Sequence, residues 1–319
     1  MLTGEIIEIV SPLIDDKNLS NYEAYISADG TIVAFETSQT YLAHGDRVFG
    51  EDIFTATLSW SASSVTGGAV ADTLVGTSFA DTIAGFAGAD SLAGDWGDDT
   101  VRGGNDGDTI TGNEGDDALF GDAGDDRVSG DDGEDSLYGG VGADSLHGGG
   151  GDDAAFGDGG DDAVEGADGD DTASGGAGND SMTGGAGADS LFGGNGADTL
   201  VGDDGSDELR GGGGVDLLTG GTGADRFIFA SLSGSVAGGV GDTITDFLAG
   251  TDKIVLSAFG TDGVFIGSDE FSGQGRLEVR FDETAGQLQV DVDGDGAFDA
   301  GDISVNGLSG VTARDILFL

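Results

Sequence analysis

The side chains able to do chemistry in this chain are almost all carboxylates. Asp and Glu total 62 among 319 residues, against 10 Lys and Arg, 2 His and no Cys, for a formal charge of −52. Disulfides, thiolate metal sites and cysteine nucleophiles are thereby excluded. Carboxylates in such number offer cation ligation through hard oxygens, or acid–base work by a chosen pair. Their spacing decides between the two. Asp recurs at every ninth residue, from Asp72 and Asp81 through Asp90, Asp99, Asp108, Asp117, Asp126, Asp135, Asp144, Asp153, Asp162, Asp171, Asp180, Asp189, Asp198, Asp207 and Asp216 to Asp225. So regular a series singles out no pair, as a carboxylate hydrolase requires. It predicts many equivalent cation sites instead.

The elements that position these residues follow from the same period. A nine-residue frame runs without a slip over 67–228, which is 18 units. The first position is always Gly and the sixth always Asp. The fourth is Gly except at Val70, Phe79 and Asp106, and the eighth is a large apolar residue except at Ala155 and Ala173. Typical units read GGAGADSLF (184–192) and GGNGADTLV (193–201). A flexible Gly/Asp-rich linker has no reason to place an apolar residue every ninth position. Positions one to six read as a turn, where Gly permits positive φ and close approach. Positions seven to nine read as a short strand with its middle side chain pointing inward. One inward residue per unit makes a core only if units stack. Two units per coil give nine coils, about 40 Å long at the usual strand spacing. Apolar burial in so thin a core does not offset the chain entropy of so much Gly. Asp residues two units apart, such as Asp180 and Asp198, fall on one edge in neighbouring coils, where a cation between them cancels their repulsion. Ca²⁺, with six to eight oxygen ligands in flexible geometry, suits a carbonyl-rich turn better than octahedral, water-retaining Mg²⁺.

This repeat resembles the RTX (haemolysin-type calcium-binding) nonapeptide GGxGxDxUx. The resemblance implies a parallel β-roll with Ca²⁺ in the turns of both edges. It carries the ligand role onto the sixth-position residues from Asp90 to Asp225, with about sixteen ions if every gap fills. Units 67–75 and 76–84, which lack the fourth Gly, are expected to bind weakly and cap the roll. Asp106 takes the fourth position of its unit, with Gly107 following. Units 148–174, with Ala155, Ala173 and the extra acids Asp152, Asp161 and Asp170, are expected to depend most on ions.

Composition changes after the repeats. Alternating apolar residues (Phe227, Phe229; Ile244, Phe247; Ile254, Leu256) predict strands. Asp242, Ile244, Asp246, Phe247, Gly250, Asp252, Lys253, Ile254, Leu256 and Ser257 reproduce DxIxDFxxGxDKIxLS. This stretch resembles the closing domain that follows RTX repeats in serralysin-type secreted metalloproteases. The implied role of 229–319 is a β-sandwich-like cap carrying an export signal. The terminal Asp315, Ile316, Leu317, Phe318 and Leu319 resemble uncleaved signals of type I secretion. Within this region Asp291, Asp293, Asp295, Gly296, Asp299 and Asp302 fit positions one, three, five, six, nine and twelve of an EF-hand-type loop. It is read as a further calcium site, with a DGDG turn between two strands as the alternative. Residues 25–58 resemble one blade of a TolB-like β-propeller, with strands expected at 31–36 and 52–58. A single blade cannot close a propeller.

The sequence therefore predicts an all-β chain in three parts: an N-terminal β segment (1–66), an RTX β-roll (67–228) and a closing domain (229–319). Its only cofactor is Ca²⁺, in several copies. The charge argues against nucleic acid as a partner. No apolar stretch reaches the length of a membrane span, and with no Lys or Arg before Lys17 no cleaved N-terminal signal is expected. There is no HExxH or GxSxG, and the two histidines, His44 and His147, stand in AHGD and LHGG. A non-enzymatic, secreted calcium-binding protein follows, folding on Ca²⁺ after passage through a type I secretion apparatus. The alternative is an extracellular structural or adhesive protein of a surface layer or biofilm matrix, acting by self-assembly or on a cell-surface partner.

Overall fold

The computed structural model describes residues 23–26, 32–37, 52–57, 64–229, 241–257, 263–270, 272, 278–291 and 303–319. The chain falls into two compact units, Met1–Ser61 and Ala62–Leu319. In the first, β1 (Glu23–Ile26), β2 (Ile32–Thr37) and β3 (Asp52–Thr57) form an antiparallel sheet in that order.

The second unit is a two-sheet parallel solenoid. It begins with β4 (Ser64–Thr66) and β5 (Thr73–Val75), and successive units then fall alternately into the two sheets. Each strand pairs in parallel with the strand two units on, so that Leu119 lies beside Leu137 and Val128 beside Leu146. A register of two units superposes every eighth-position side chain on the same inward face. From Ile83 to Phe227 each of these residues is at most 3% exposed. Ala155 and Ala173 neighbour one another in the first sheet and leave the core thinnest there.

Strand length departs from the sequence expectation. Interior strands span six or seven residues, for example β10 (Ala118–Ala123), where three were expected. Each runs through the first three positions of the next unit, so the turn is confined to positions four to six. The reason lies at position one. Gly there is an extended strand residue facing the interior, as at Gly121, and has no positive φ. Positive φ occurs instead at positions two and four. Eight non-Gly residues occupy the second position in that conformation, five of them Asp and one Asn, types that tolerate it.

The closing region adds strands to the two sheets of the roll, and in that sense it is sandwich-like. On one sheet β22 (Arg226–Phe229), β24 (Lys253–Leu256) and β29 (Ile316–Phe318) continue the parallel order. On the other, β23 (Asp242–Ile244) pairs with β28 (Ile303–Asn306). There β27 (Gln287–Asp291) and β26 (Glu278–Asp282) turn the sheet antiparallel, and β25 (Val264–Gly267) forms its edge. Phe227, Ile254 and Ile316 extend the inward column of the first sheet, and Ile244 that of the second. The roll thus ends in ordinary apolar packing.

Candidate metal centres

Each sixth-position Asp turns its carboxylate back beneath the first Gly of its own unit. From Asp81 to Asp225 none is more than 3% exposed. One oxygen, Oδ1, accepts the backbone N–H of the Asp one coil earlier. Asp90 donates to Asp108 at 2.8 Å, Asp171 to Asp189 at 2.9 Å and Asp207 to Asp225 at 3.1 Å. The other oxygen, Oδ2, has no hydrogen-bond partner in Asp90, Asp99, Asp108, Asp117, Asp126, Asp135, Asp144, Asp153, Asp162, Asp171, Asp180, Asp189, Asp198, Asp207 and Asp216. A buried carboxylate oxygen without a donor is costly, and one such group in each of fifteen successive units is a systematic feature of the fold.

The ends of the series differ. Oδ2 of Asp72 accepts the Gly68 N–H at 2.7 Å, and Oδ2 of Asp81 accepts the Thr77 N–H. Gly68 and Thr77 hold the second position of their units without positive φ; from Phe86 to Gly212 that position is left-handed and Oδ2 of the unit's Asp, from Asp90 to Asp216, is unpartnered. Beyond the last unit Asp225 donates to Asp252 Oδ1 at 3.3 Å, and Asp252 Oδ2 accepts the Leu248 N–H at 2.6 Å. Asp216 likewise donates to Asp242 at 3.0 Å. Asp242 and Asp252 therefore extend the two Asp ladders, a role that reading the nine-residue frame misses. They follow Asp216 and Asp225 by 26 and 27 residues, where the repeat has 18. The DxIxDFxxGxDKI pattern was the only signal. Its Asp246 also reaches back, accepting N–H bonds from Gly220 and Gly221 at 3.0 and 2.7 Å.

The unpartnered oxygen has a second oxygen close by. A Cβ placed on Gly121 would collide with Asp126 Oδ2 and stand 2.7 Å from the Gly139 carbonyl oxygen of the next coil. The same triad of Gly, Asp Oδ2 and next-coil carbonyl recurs at Gly112, Gly130, Gly148 and Gly157. Two acceptors with no donor between them suit a hard cation and nothing that must accept a hydrogen bond. Among the described residues no three His, Cys, Asp or Glu side chains gather at one point. One carboxylate with backbone carbonyls is an oxygen donor set of the kind Ca²⁺ takes, and it lacks the nitrogen and sulfur of a zinc or copper site.

Electrostatics agree with this reading. Burial, reinforced by neighbouring carboxylates, raises Asp117 and Asp153 to about 7 and Asp99, Asp135, Asp144, Asp189, Asp198 and Asp207 to about 6. Asp108 and Asp162 rise to about 6 for the same reasons, and Asp126, Asp171, Asp180, Asp216 and Asp225 are raised too. Asp315 is the contrast. Burial pushes it up, but hydrogen bonds from the Thr312 hydroxyl and N–H and the Gly250 N–H, together with Lys253, outweigh that and hold it below the usual range.

The extra acids have their own partners. Asp152 Oδ1 accepts the Asp170 N–H at 2.8 Å, Asp161 the Asn179 N–H at 2.7 Å, and Asp170 the Ala188 N–H at 2.7 Å. They form an outer ladder of opposite sense, accepting from the following coil. The EF-hand-type residues Asp293, Asp295, Asp299 and Asp302 lie outside the described residues, and Asp291 is described only as the end of β27. At the C-terminus Asp315 is buried and Ile316, Leu317 and Phe318 form β29 beside β24, with Leu319 exposed.

With this geometry in view, the likeness to known proteins can be placed. The family model of the peptidase M10 serralysin C-terminal region matches residues 148–318, over half of the chain. The chain belongs to this family. The RTX calcium-binding nonapeptide model matches in four copies, at 66–101, 93–128, 102–137 and 129–164. The serralysin-type chain is thus a calcium-binding RTX-type protein. Two solved structures resemble it, both subunits of a mannuronan C5-epimerase from Azotobacter vinelandii. AlgE6R3 is 28% identical with a TM-score of 0.31, covering 49% of this chain and 78% of its own. AlgE6R2 is 26% identical with a TM-score of 0.33, covering 52% and 91%. Comparison with curated proteins finds no match.

Two expectations follow. Gly121→Ala should raise the calcium midpoint for folding strongly, because its methyl group would displace Asp126 Oδ2. Gly150→Ala, whose methyl group would lie 3.7 Å from the nearest atom at ordinary φ, should leave the midpoint nearly unchanged; far-UV circular dichroism across a calcium titration reads both. The second concerns pH. The ion-free fold holds carboxyl groups with values near 6 to 7, against about 3.9 for Asp in an unfolded chain. The fold then binds more protons than the unfolded chain, so its stability is lost as pH rises through that range. In EDTA, β-structure should increase as pH falls from about 8 to about 5, and equilibrium dialysis should show calcium affinity falling over the same interval.

Proposed function

We propose that the chain is a secreted, non-enzymatic module that leaves the cell through a type I secretion apparatus and folds outside on binding Ca²⁺. The fifteen buried, unpartnered Asp oxygens carry this reading. A chain that cannot satisfy them in a calcium-poor cell interior stays open enough to thread through an exporter, and calcium outside then completes the fold. Each ion placed between two coils favours the next, so folding is cooperative.

The C-terminal region supports the export half. Its family is the one that closes serralysins, and its last strand, β29, is an edge strand with Leu319 exposed behind it. Both matched families are non-catalytic regions, which supports the non-enzymatic reading. Asp90 to Asp225 act as the metal ligands in this account, within a roll bounded by 67 and 228.

Removing Ile316 to Leu319 tests the export half. The truncated chain should accumulate in cells that carry a type I exporter while the parent appears in the medium. The purified truncation should still fold in calcium, since Asp252 and Asp315 remain. Equal secretion of both chains would place the signal elsewhere.

A further inference from the structure

The outward face of the first sheet carries a column of rings that calcium ligation does not use. Phe120 and Tyr138 stack with centroids 4.8 Å apart at 4°, and Tyr138 and Phe156 at 5.2 Å and 15°. The Arg102 guanidinium caps the column 4.1 Å from the Phe120 centroid. All are ninth-position residues, aligned by the two-unit register. In β16 (Thr172–Ala177) that register puts Ser174 beside Phe156, and on its other side it puts Phe192 of β18 (Ser190–Asn195). The column is therefore interrupted once. Phe156 is covered on its far side by Tyr138 and Phe192 by Arg210, 5.8 Å from the ring centroid, so each turns an open face toward Ser174. Phe192 is 41% exposed.

Two coils separate these open faces, a gap of roughly 10 Å at the usual strand spacing. A flat ring makes carbon contacts at about 3.5–4.0 Å and so fills only about 7–8 Å. A free flat ring would stack on one wall and leave the other bare. A chair-shaped saturated ring is thicker, and its axial C–H bonds present partial positive charge to the negative faces of both aromatics. The floor of the slot is the Ser174 hydroxyl, with the exposed Thr172 hydroxyl and Asp158 carboxylate on the same strand face or the next. These groups donate to and accept from ring hydroxyls. Asp158 and the formal charge of −52 disfavour an acidic ring.

We propose that the slot over Ser174, between Phe156 and Phe192, binds one ring of a neutral pyranose oligosaccharide. This site is distinct from the calcium edges and concerns what the folded roll recognises.

The test uses the full chain loaded with calcium. Cellohexaose, maltohexaose and mannohexaose serve as neutral probes, hexagalacturonate as the acidic one and indole as the flat one, all read by isothermal titration. At least one neutral probe should bind and should exceed both hexagalacturonate and indole. Ser174→Phe, which continues the column and fills the slot, and Phe192→Ala, which removes a wall, should each weaken that binding by about tenfold or more. The calcium midpoints of both variants should match the parent, which separates loss of the slot from loss of the fold. Three silent neutral probes, tighter binding of indole or hexagalacturonate, or binding that survives Ser174→Phe would each overturn the proposal.

Discussion

Everything in this molecule depends on a carboxylate oxygen that is buried without a donor once in every interior unit. Asp supplies two acceptor oxygens, and the ladder between coils satisfies only one of them. The remaining oxygen and a backbone carbonyl of the next coil both crowd the place a Cβ would take on a Gly that cannot be anything larger. Burial of so many charges is tolerable only if a cation shares them or protons neutralise them. The first route is the calcium-dependent fold proposed above and the second an acid-favoured one. Both arise from the same atoms.

The ends of the roll show how the chain escapes this constraint where no further coil follows. Asp72 and Asp81 at one end, and Asp252 at the other, close the second oxygen with an N–H four residues back. The backbone at position two decides which state a unit adopts. Ordinary φ at Gly68 and Thr77 accompanies a satisfied Asp, and left-handed φ from Phe86 to Gly212 accompanies an open one. On the proposed reading, the solenoid is self-sufficient at its caps and ion-dependent between them. Apolar closure by Phe227, Ile254 and Ile316 adds to the C-terminal cap.

Much of this was legible in the sequence because the period is rigid. A fixed Asp and a fixed apolar residue every nine positions specify the coil, the inward column and the ladder of buried Asp from Asp90 onward. Strand length was not legible: Gly at position one reads as a turn residue by type, and only packing against Asp reveals it as an extended strand residue. Asp242 and Asp252 escaped because an insertion breaks the spacing while the register resumes in space. The outer ladder of Asp152, Asp161 and Asp170 was hidden for another reason. An exposed acid and an acid that accepts an N–H from the next coil look alike until the coils are stacked. The aromatic column appears only when ninth-position residues are read at a spacing of two units.

The central claim is that the unpartnered oxygen is the seat of the cation. Calcium titrations of the parent, Asp189→Asn and Asp72→Asn, followed by far-UV circular dichroism, test it most directly. Asn keeps the size and the Oδ1 acceptor but removes the charged second oxygen. The account predicts that Asp189→Asn raises the calcium midpoint several-fold and lowers cooperativity, as expected for one coupled site lost from a solenoid. Asp72→Asn, whose second oxygen already has the Gly68 N–H, should leave the midpoint unchanged. Equal shifts in the two variants, or a parent spectrum that is the same in EDTA and in millimolar calcium, would contradict it.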